Sequence, residues 1–263
     1  MFIIGEKINT SVKDVEKAVE KKDAAFIQDL ARSQVKAGAD ALDVNVGTRI
    51  HTEVEDMKWA IEVIQEAVEV PLCIDSPNPK VLEAGLTQHK GKAIINSVTA
   101  EKNRVEGILP LLKRFRSKVI GLTMDETGIP EDIRTRYAVA ERLVNLLTQE
   151  GVALKDIYLD PLVRPISTNS KGGWTVLEAM RKIRDSFEGI HLICGLSNIS
   201  FGLPRRRLLN RVFLSMAMSR GLDAVILDPL DKQMISVIRA GEALLGKDEY
   251  CTEYLSSFRE GNL

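Results

Sequence analysis

The chain has 263 residues, 44% of them hydrophobic and 28% charged, and its 36 Lys and Arg against 37 Asp and Glu leave a formal net charge of −1. That balance excludes nucleic acid as an expected partner, because phosphate binding draws on a basic excess, and no uninterrupted apolar run of about 18 residues offers a membrane span. The length suits one barrel domain, typically about 250 residues, so residues 1–263 are read as a single domain.

Taken in order, Met1-Phe2-Ile3-Ile4-Gly5-Glu6 lacks the basic and apolar regions of a secretory leader and reads as a first strand, Phe2–Ile8; the cytoplasm is the expected compartment. Ser11-x-x-Asp14 resembles a capping box for a short helix, and Asp23 an N-cap for a second that stops near Gly38. A second strand is expected at Ala41–Val46. In Glu53–Glu69 the apolar residues Val54, Met57, Ile61, Ile64 and Val68 recur at helical steps. Strands at Leu72–Ser76 and Ala93–Val98 follow, then a helical stripe over Glu101–Phe115. Further strands are expected at Val119–Met124, Ile157–Val163, Leu192–Ser200 and Ala224–Asp228, and a last helix from about Asp231 to Leu245.

The strands are near-continuous apolar runs, as when helices cover one face and a filled core the other. Their alternation with helices gives the α/β class with a parallel sheet, and eight such units predict closure into a TM-type (β/α)8, or TIM, barrel. An open doubly wound sheet normally carries G-x-G-x-x-G, and neither that nor a Walker A lysine is present. On a barrel the strand-to-helix loops form the active face. The longer ones are Asp125–Arg134, Arg164–Gly173 and Phe201–Arg206; the polar, glycine-rich 166–173 suits a lid or an ordinary solvated loop equally.

Several apolar runs end in one Asp or Asn. Asp75, Asn96, Asp160 and Asn198 would converge at the top of strands three, four, six and seven. An ionised Asp accepts two N–H donors and an Asn offers a donor and an acceptor, which suits a neutral heteroaromatic ring such as a pterin. Any one of them alone could equally be a turn residue or helix cap. Asp43 and Asn45 close strand two and divide evenly between pocket and turn, while Glu6, Lys7 and Asn9 suit a pocket wall or barrel-top salt bridges. His51, His89 and His191 show no paired spacing, so neither a metal site nor a Ser-His-Asp site is expected. Cys73, Cys194 and Cys251 make an odd count with no C-x-x-C, and the first two read as core residues.

Gly195-Leu196-Ser197-Asn198-Ile199-Ser200, then Phe201-Gly202-Leu203-Pro204, Arg206 and Leu209-Asn210-Arg211-x-Phe213-Leu214-x-Met216-Ala217, resembles the methyltetrahydrofolate:corrinoid methyltransferases and the folate module of cobalamin-dependent methionine synthase. Ile74-Asp75-Ser76, Ile95-Asn96-Ser97, Leu159-Asp160-Pro161 and the segment Gly221–Pro229 match other parts of that family, from Ile4 to about Leu245. The resemblance implies a homodimeric barrel that moves a methyl group between N5 of 5-methyltetrahydrofolate and the cobalt of cobalamin on a separate corrinoid protein, in either direction. It implies that Asp75, Asn96 and Asp160 hold the pterin, that Asn198 acts near N5, and that Arg206 contacts substrate. The zinc and cobalamin modules of methionine synthase are missing from this sequence, so partners are expected.

Two rivals remain. Dihydropteroate synthase shares the barrel and pterin pocket but normally brings a cation on the last strand, where this chain has Asp228. A non-catalytic folate-binding subunit would show no methyl exchange with a corrinoid.

Overall fold

The structure is a computed structural model describing residues 1–263. Its strands are β1 (Phe2–Asn9), β2 (Ala41–Asn45), β3 (Leu72–Asp75), β4 (Ile94–Thr99), β5 (Lys118–Leu122), β6 (Ile157–Asp160), β7 (His191–Leu192) and β8 (Ala224–Leu227). All pair in parallel, in the order β7-β6-β5-β4-β3-β2-β1-β8. The ends of that row meet: Gly195 bridges Ile226, the Ile226 amide donates to Cys194 O at 3.0 Å, and that of Asp223 to Leu192 O at 3.3 Å. The result is the expected (β/α)8 barrel.

The helices are α1 (Lys13–Glu20), α2 (Ala24–Lys36), α3 (Glu53–Gln65), α4 (Pro79–Gln88), α5 (Lys102–Phe115), α6 (Ile133–Gln149), α7 (Gly172–Ser186), α8 (Arg206–Met218), α9 (Lys232–Leu244) and α10 (Thr252–Arg259). None is long and apolar enough to cross a membrane. Asp23 caps α2 by accepting from the Phe26 amide, and Asp231 caps α9 through Met234, both as polar residues preceding an apolar stripe should.

Burial divides by layer. A cluster of 54 buried residues fills the space between strands and helices. A second cluster of eight plugs the barrel itself: Ile4, Ala41, Cys73, Ile94, Ile120, Tyr158, Ile193 and Ala224. Each comes from a different strand or its immediate extension, so the interior is a packed floor and not a pore.

Three expectations need correction. The Ser11-x-x-Asp14 box does not form: Val12 occupies the cap with no side-chain bond, and the Ser11 amide donates instead to Asn9 Oδ1 in a turn. The strand expected at Leu192–Ser200 ends at Leu192, and Leu196–Ser200 is a 3-10 turn. Leu196 and Ile199 are both buried, at the three-residue spacing of that helix, which a continuous apolar run conceals. The helix over 231–245 is not the last, because α10 follows with none of its residues buried.

Candidate functional site

Side chains two residues apart along a strand share a face. Two residues beyond the floor therefore come Glu6, Asp43, Asp75, Asn96, Leu122, Asp160, Gly195 and Ile226, and this next inward layer is largely acid and amide. Asp75 lies opposite Asn96 in the β3–β4 register, and Asn45 opposite Asp75 in β2–β3. Asp160 closes β6 opposite Leu122. Asp75, Asn96 and Asp160 thus share one mouth at the C-terminal end of the barrel.

Hydrogen bonds tie them in pairs. Asn45 Nδ2 donates to Asp75 Oδ2 at 2.8 Å, and Asn96 Nδ2 to Asp43 Oδ1 at 3.1 Å. Asp43 and Asn45, which the sequence left between pocket and turn, therefore belong to the mouth. Asp160 Oδ1 accepts from the Leu162 amide at 2.7 Å. Behind it, the buried Arg136 of α6 donates to Pro161 O at 2.5 Å, Leu162 O at 2.9 Å and Pro130 O at 2.6 Å, fixing the loop after β6. Arg104 of α5 donates to Ser97 O at 2.5 Å and to Pro77 O, and Glu53 of α3 accepts from Ser76 Oγ at 2.7 Å. These three supports escaped the sequence reading, since one charged residue on an amphipathic helix carries no local sign of inward use.

The carboxylates are in unlike states. Burial pushes Asp43 up to about 8, helped by the neighbouring charge of Asp75 and opposed by the Asn96 hydrogen bond. Burial also pushes Asp160 up to about 6, against the Leu162 and Gly195 amides and the Arg136 charge. Asp75 is raised by burial too, partly offset by Asn45 and Arg104. At pH 7 the Asp43 carboxyl is therefore mostly protonated and Asp160 mostly ionised. One mouth presents an O–H donor, a carboxylate acceptor and amides that do both.

Asn198 does not sit on a strand but in the 3-10 turn after β7, and it is exposed. Its Nδ2 lies 3.3 Å from where a Cβ on Gly195 would fall, so glycine lets the carboxamide lean over the barrel end. Arg206, at the start of α8, holds that turn: Nε donates to Ser200 Oγ at 3.1 Å and one Nη to Ser197 O at 2.7 Å. Beside that turn Lys7 pairs with Asp228 at 3.1 Å, one of the barrel-top salt bridges. Asn9 serves the turn after β1.

Fold and site together define a (β/α)8 protein whose strand ends form a cup of acid and amide side chains. The family model described as pterin binding enzyme matches residues 5–228, and the chain belongs to that family. It is 38% identical over 265 aligned positions to a methylcorrinoid:tetrahydrofolate methyltransferase of Eubacterium limosum, covering 100% of this chain and 98% of that one. It is also 33% identical over 239 positions to methionine synthase of Mycobacterium leprae (strain TN), covering 86% of this chain but 20% of that longer protein. Among solved structures, dihydropteroate synthase from Xanthomonas albilineans in complex with 7,8-dihydropteroate superposes with a TM-score of 0.70 at 20% identity, covering 93% of this chain and 92% of that one. At that identity the likeness speaks for the fold alone.

Proposed function

We propose that the protein transfers a methyl group from a methylated corrinoid protein to N5 of tetrahydrofolate, acting as one domain over residues 1–263. The observation that carries this reading is the layer of Asp75, Asn96 and Asp160 immediately above the barrel floor, in a chain similar end to end to a methyltransferase of that name. The pterin edge alternates amino, ring N–H, carbonyl and bare nitrogen. Asp160 would accept N–H donors, Asn96 would give and take one each, and Asp75 would take the amino edge.

The chemistry is a displacement. The N5 lone pair forms the bond to the methyl carbon, the cobalt–carbon pair stays with the cobalt as Co(I), and N5 sheds its proton. Positive charge grows on N5 in the transition state. The Asn198 carboxamide, with no hydrogen bond of its own inside the chain, turns its oxygen to the N5–H and stabilises that charge more than it stabilises the ground state. Arg206 positions the turn that bears Asn198 and keeps further N–H donors for the substrate. The second substrate brings the cobalt, so the barrel need supply no nucleophile.

Asn198→Ala is expected to slow transfer by about a hundredfold, the usual cost of one lost transition-state hydrogen bond. Stopped-flow absorbance of the corrinoid reads it directly. Equal rates for wild type and variant would remove Asn198 from the mechanism. A wild type that binds tetrahydrofolate yet exchanges no methyl group with methylcob(III)alamin would favour a folate-binding subunit.

The working form is a homodimer joined along α7 and α8. Trp174, Leu208, Val212 and Met216 are 58%, 56%, 52% and 45% exposed, and Trp174, Val212 and Met216 flank an apolar cavity of about 210 Å³ that reaches Leu177 and Phe213. The free thiols of Cys73, Cys194 and Cys251 suit a reducing compartment, hence the cytoplasm and its one-carbon metabolism.

A further inference from the structure

Beside the mouth, between β1, β8, the 3-10 turn and the starts of α8 and α9, lies a second cavity of about 120 Å³. A water occupies about 30 Å³ in the liquid, so the space suits several. Its polar lining is Glu6, Ser197, Arg207, Asn210, Asp228 and Asp231. It begins inside the barrel at Glu6 and passes Ser197, the neighbour of Asn198. The buried Oδ1 of Asn210, one of the lining residues, finds no donor in the chain.

The acids of this lining are not equivalent. Asp228 is paired with Lys7 at 3.1 Å, and Asp231 with Arg211 at 2.8 Å. Glu6 has no such partner, although Lys7 is its chain neighbour. It feels Asp228, Lys7 and Arg206 only through space, and it acts in turn on Asp43. A carboxylate kept for structure would take the nearby cation; here the cation is spent on Asp228.

We propose that Glu6 is the relay residue for the N5 proton, receiving it through water when N5 is methylated and passing it along this cavity to solvent. The inference rests on the proposed methyl transfer. The balance is simple: the N–CH3 bond forms, the Co–C bond breaks with its electrons left on cobalt, and the N5–H proton moves to the Glu6 carboxylate and then to water. Burial, with Asp228 beside it, raises the affinity of Glu6 for a proton, against the pull of Lys7 and Arg206. That brings the group towards the working pH, where a proton acceptor serves best. Asp43 on the neighbouring strand, Asp75 and Asp160 are raised too, but each already holds a hydrogen bond inside the mouth, to Asn96 at 3.1 Å, Asn45 at 2.8 Å and the Leu162 amide at 2.7 Å.

The test is the pH dependence of single-turnover transfer from methylcob(III)alamin to tetrahydrofolate. Wild type should lose rate as pH falls through the Glu6 titration. Glu6→Gln should lose that acid limb and be slower by about a hundredfold at neutral pH, while tetrahydrofolate affinity changes less than about threefold. Glu6→Asp keeps a carboxylate and should keep the limb at an intermediate rate. A Glu6→Gln profile that overlays wild type overturns the relay alone, as does a Glu6→Asp variant without the limb. A wild type that transfers no methyl group from any methylcorrinoid overturns the functional reading first.

Discussion

Asp43 shows what the mouth costs the fold. An unfolded Asp titrates near 3.9, whereas burial holds this one at about 8, so the native state binds the proton more tightly. Stability then falls as pH climbs from about 4 towards that folded value, because each step must either keep the proton or bury a charge. Asparagine fills the same space without titrating. Asp43→Asn should therefore melt above wild type at pH 8, with the gap closing towards pH 4. Thermal scans at the two pH values check this, and a gap independent of pH would refute the assignment of protonated Asp43. Activity should move the other way, since a site tuned for ligand is rarely tuned for stability.

At the scale of elements, β1 carries the most consequential irregularity. Its register against β2 slips between Gly5 and Ile8, where three steps on one strand face two on the other. The buried Gln34 of α2 fills the gap, accepting from the Lys7 amide at 3.0 Å. A Cβ on Gly5 would fall 2.5 Å from that same Oε1. Gly5→Ala should thus expel Gln34, leave the Lys7 amide unpaired and cost about 1–3 kcal/mol, measurable as a lower urea midpoint. A midpoint equal to wild type would mean that the bulge does not depend on this contact. None of it was legible beforehand, since a bulge depends on a residue about thirty positions away. Asp75, Asn96 and Asp160 were legible, because a polar residue ending an apolar strand breaks a pattern. Asn198 was placed at a strand end, whereas it lies in a 3-10 turn, since such a turn with buried Leu196, Ile199 and Ser200 reads like a strand.

For the whole molecule, closure followed from counting β and α units, and the end-to-end likeness to the Eubacterium limosum methyltransferase covers 98% of that protein. Assembly was not readable, because stripes at α8 spacing serve a core and an interface alike. Leu208, Val212 and Met216 recur every four residues on the exposed side of α8. Val212→Glu combined with Met216→Glu should convert the proposed dimer to a monomer, seen by sedimentation, while each protomer still binds tetrahydrofolate. A dimer that survives both charges would place the interface elsewhere.

The two-residue β7 has a wider meaning. Every other neighbour in the ring shares three or more paired positions, but β6 and β7 share two, and β7 reaches β8 through a single bridge. The hoop is thinnest along that line, and thermal breathing should concentrate there. Both the turn that bears Asn198 and the cavity beside Glu6 border this seam. The proposed methyl transfer would then be lodged where the cylinder yields most easily, on the side a docking corrinoid protein would meet.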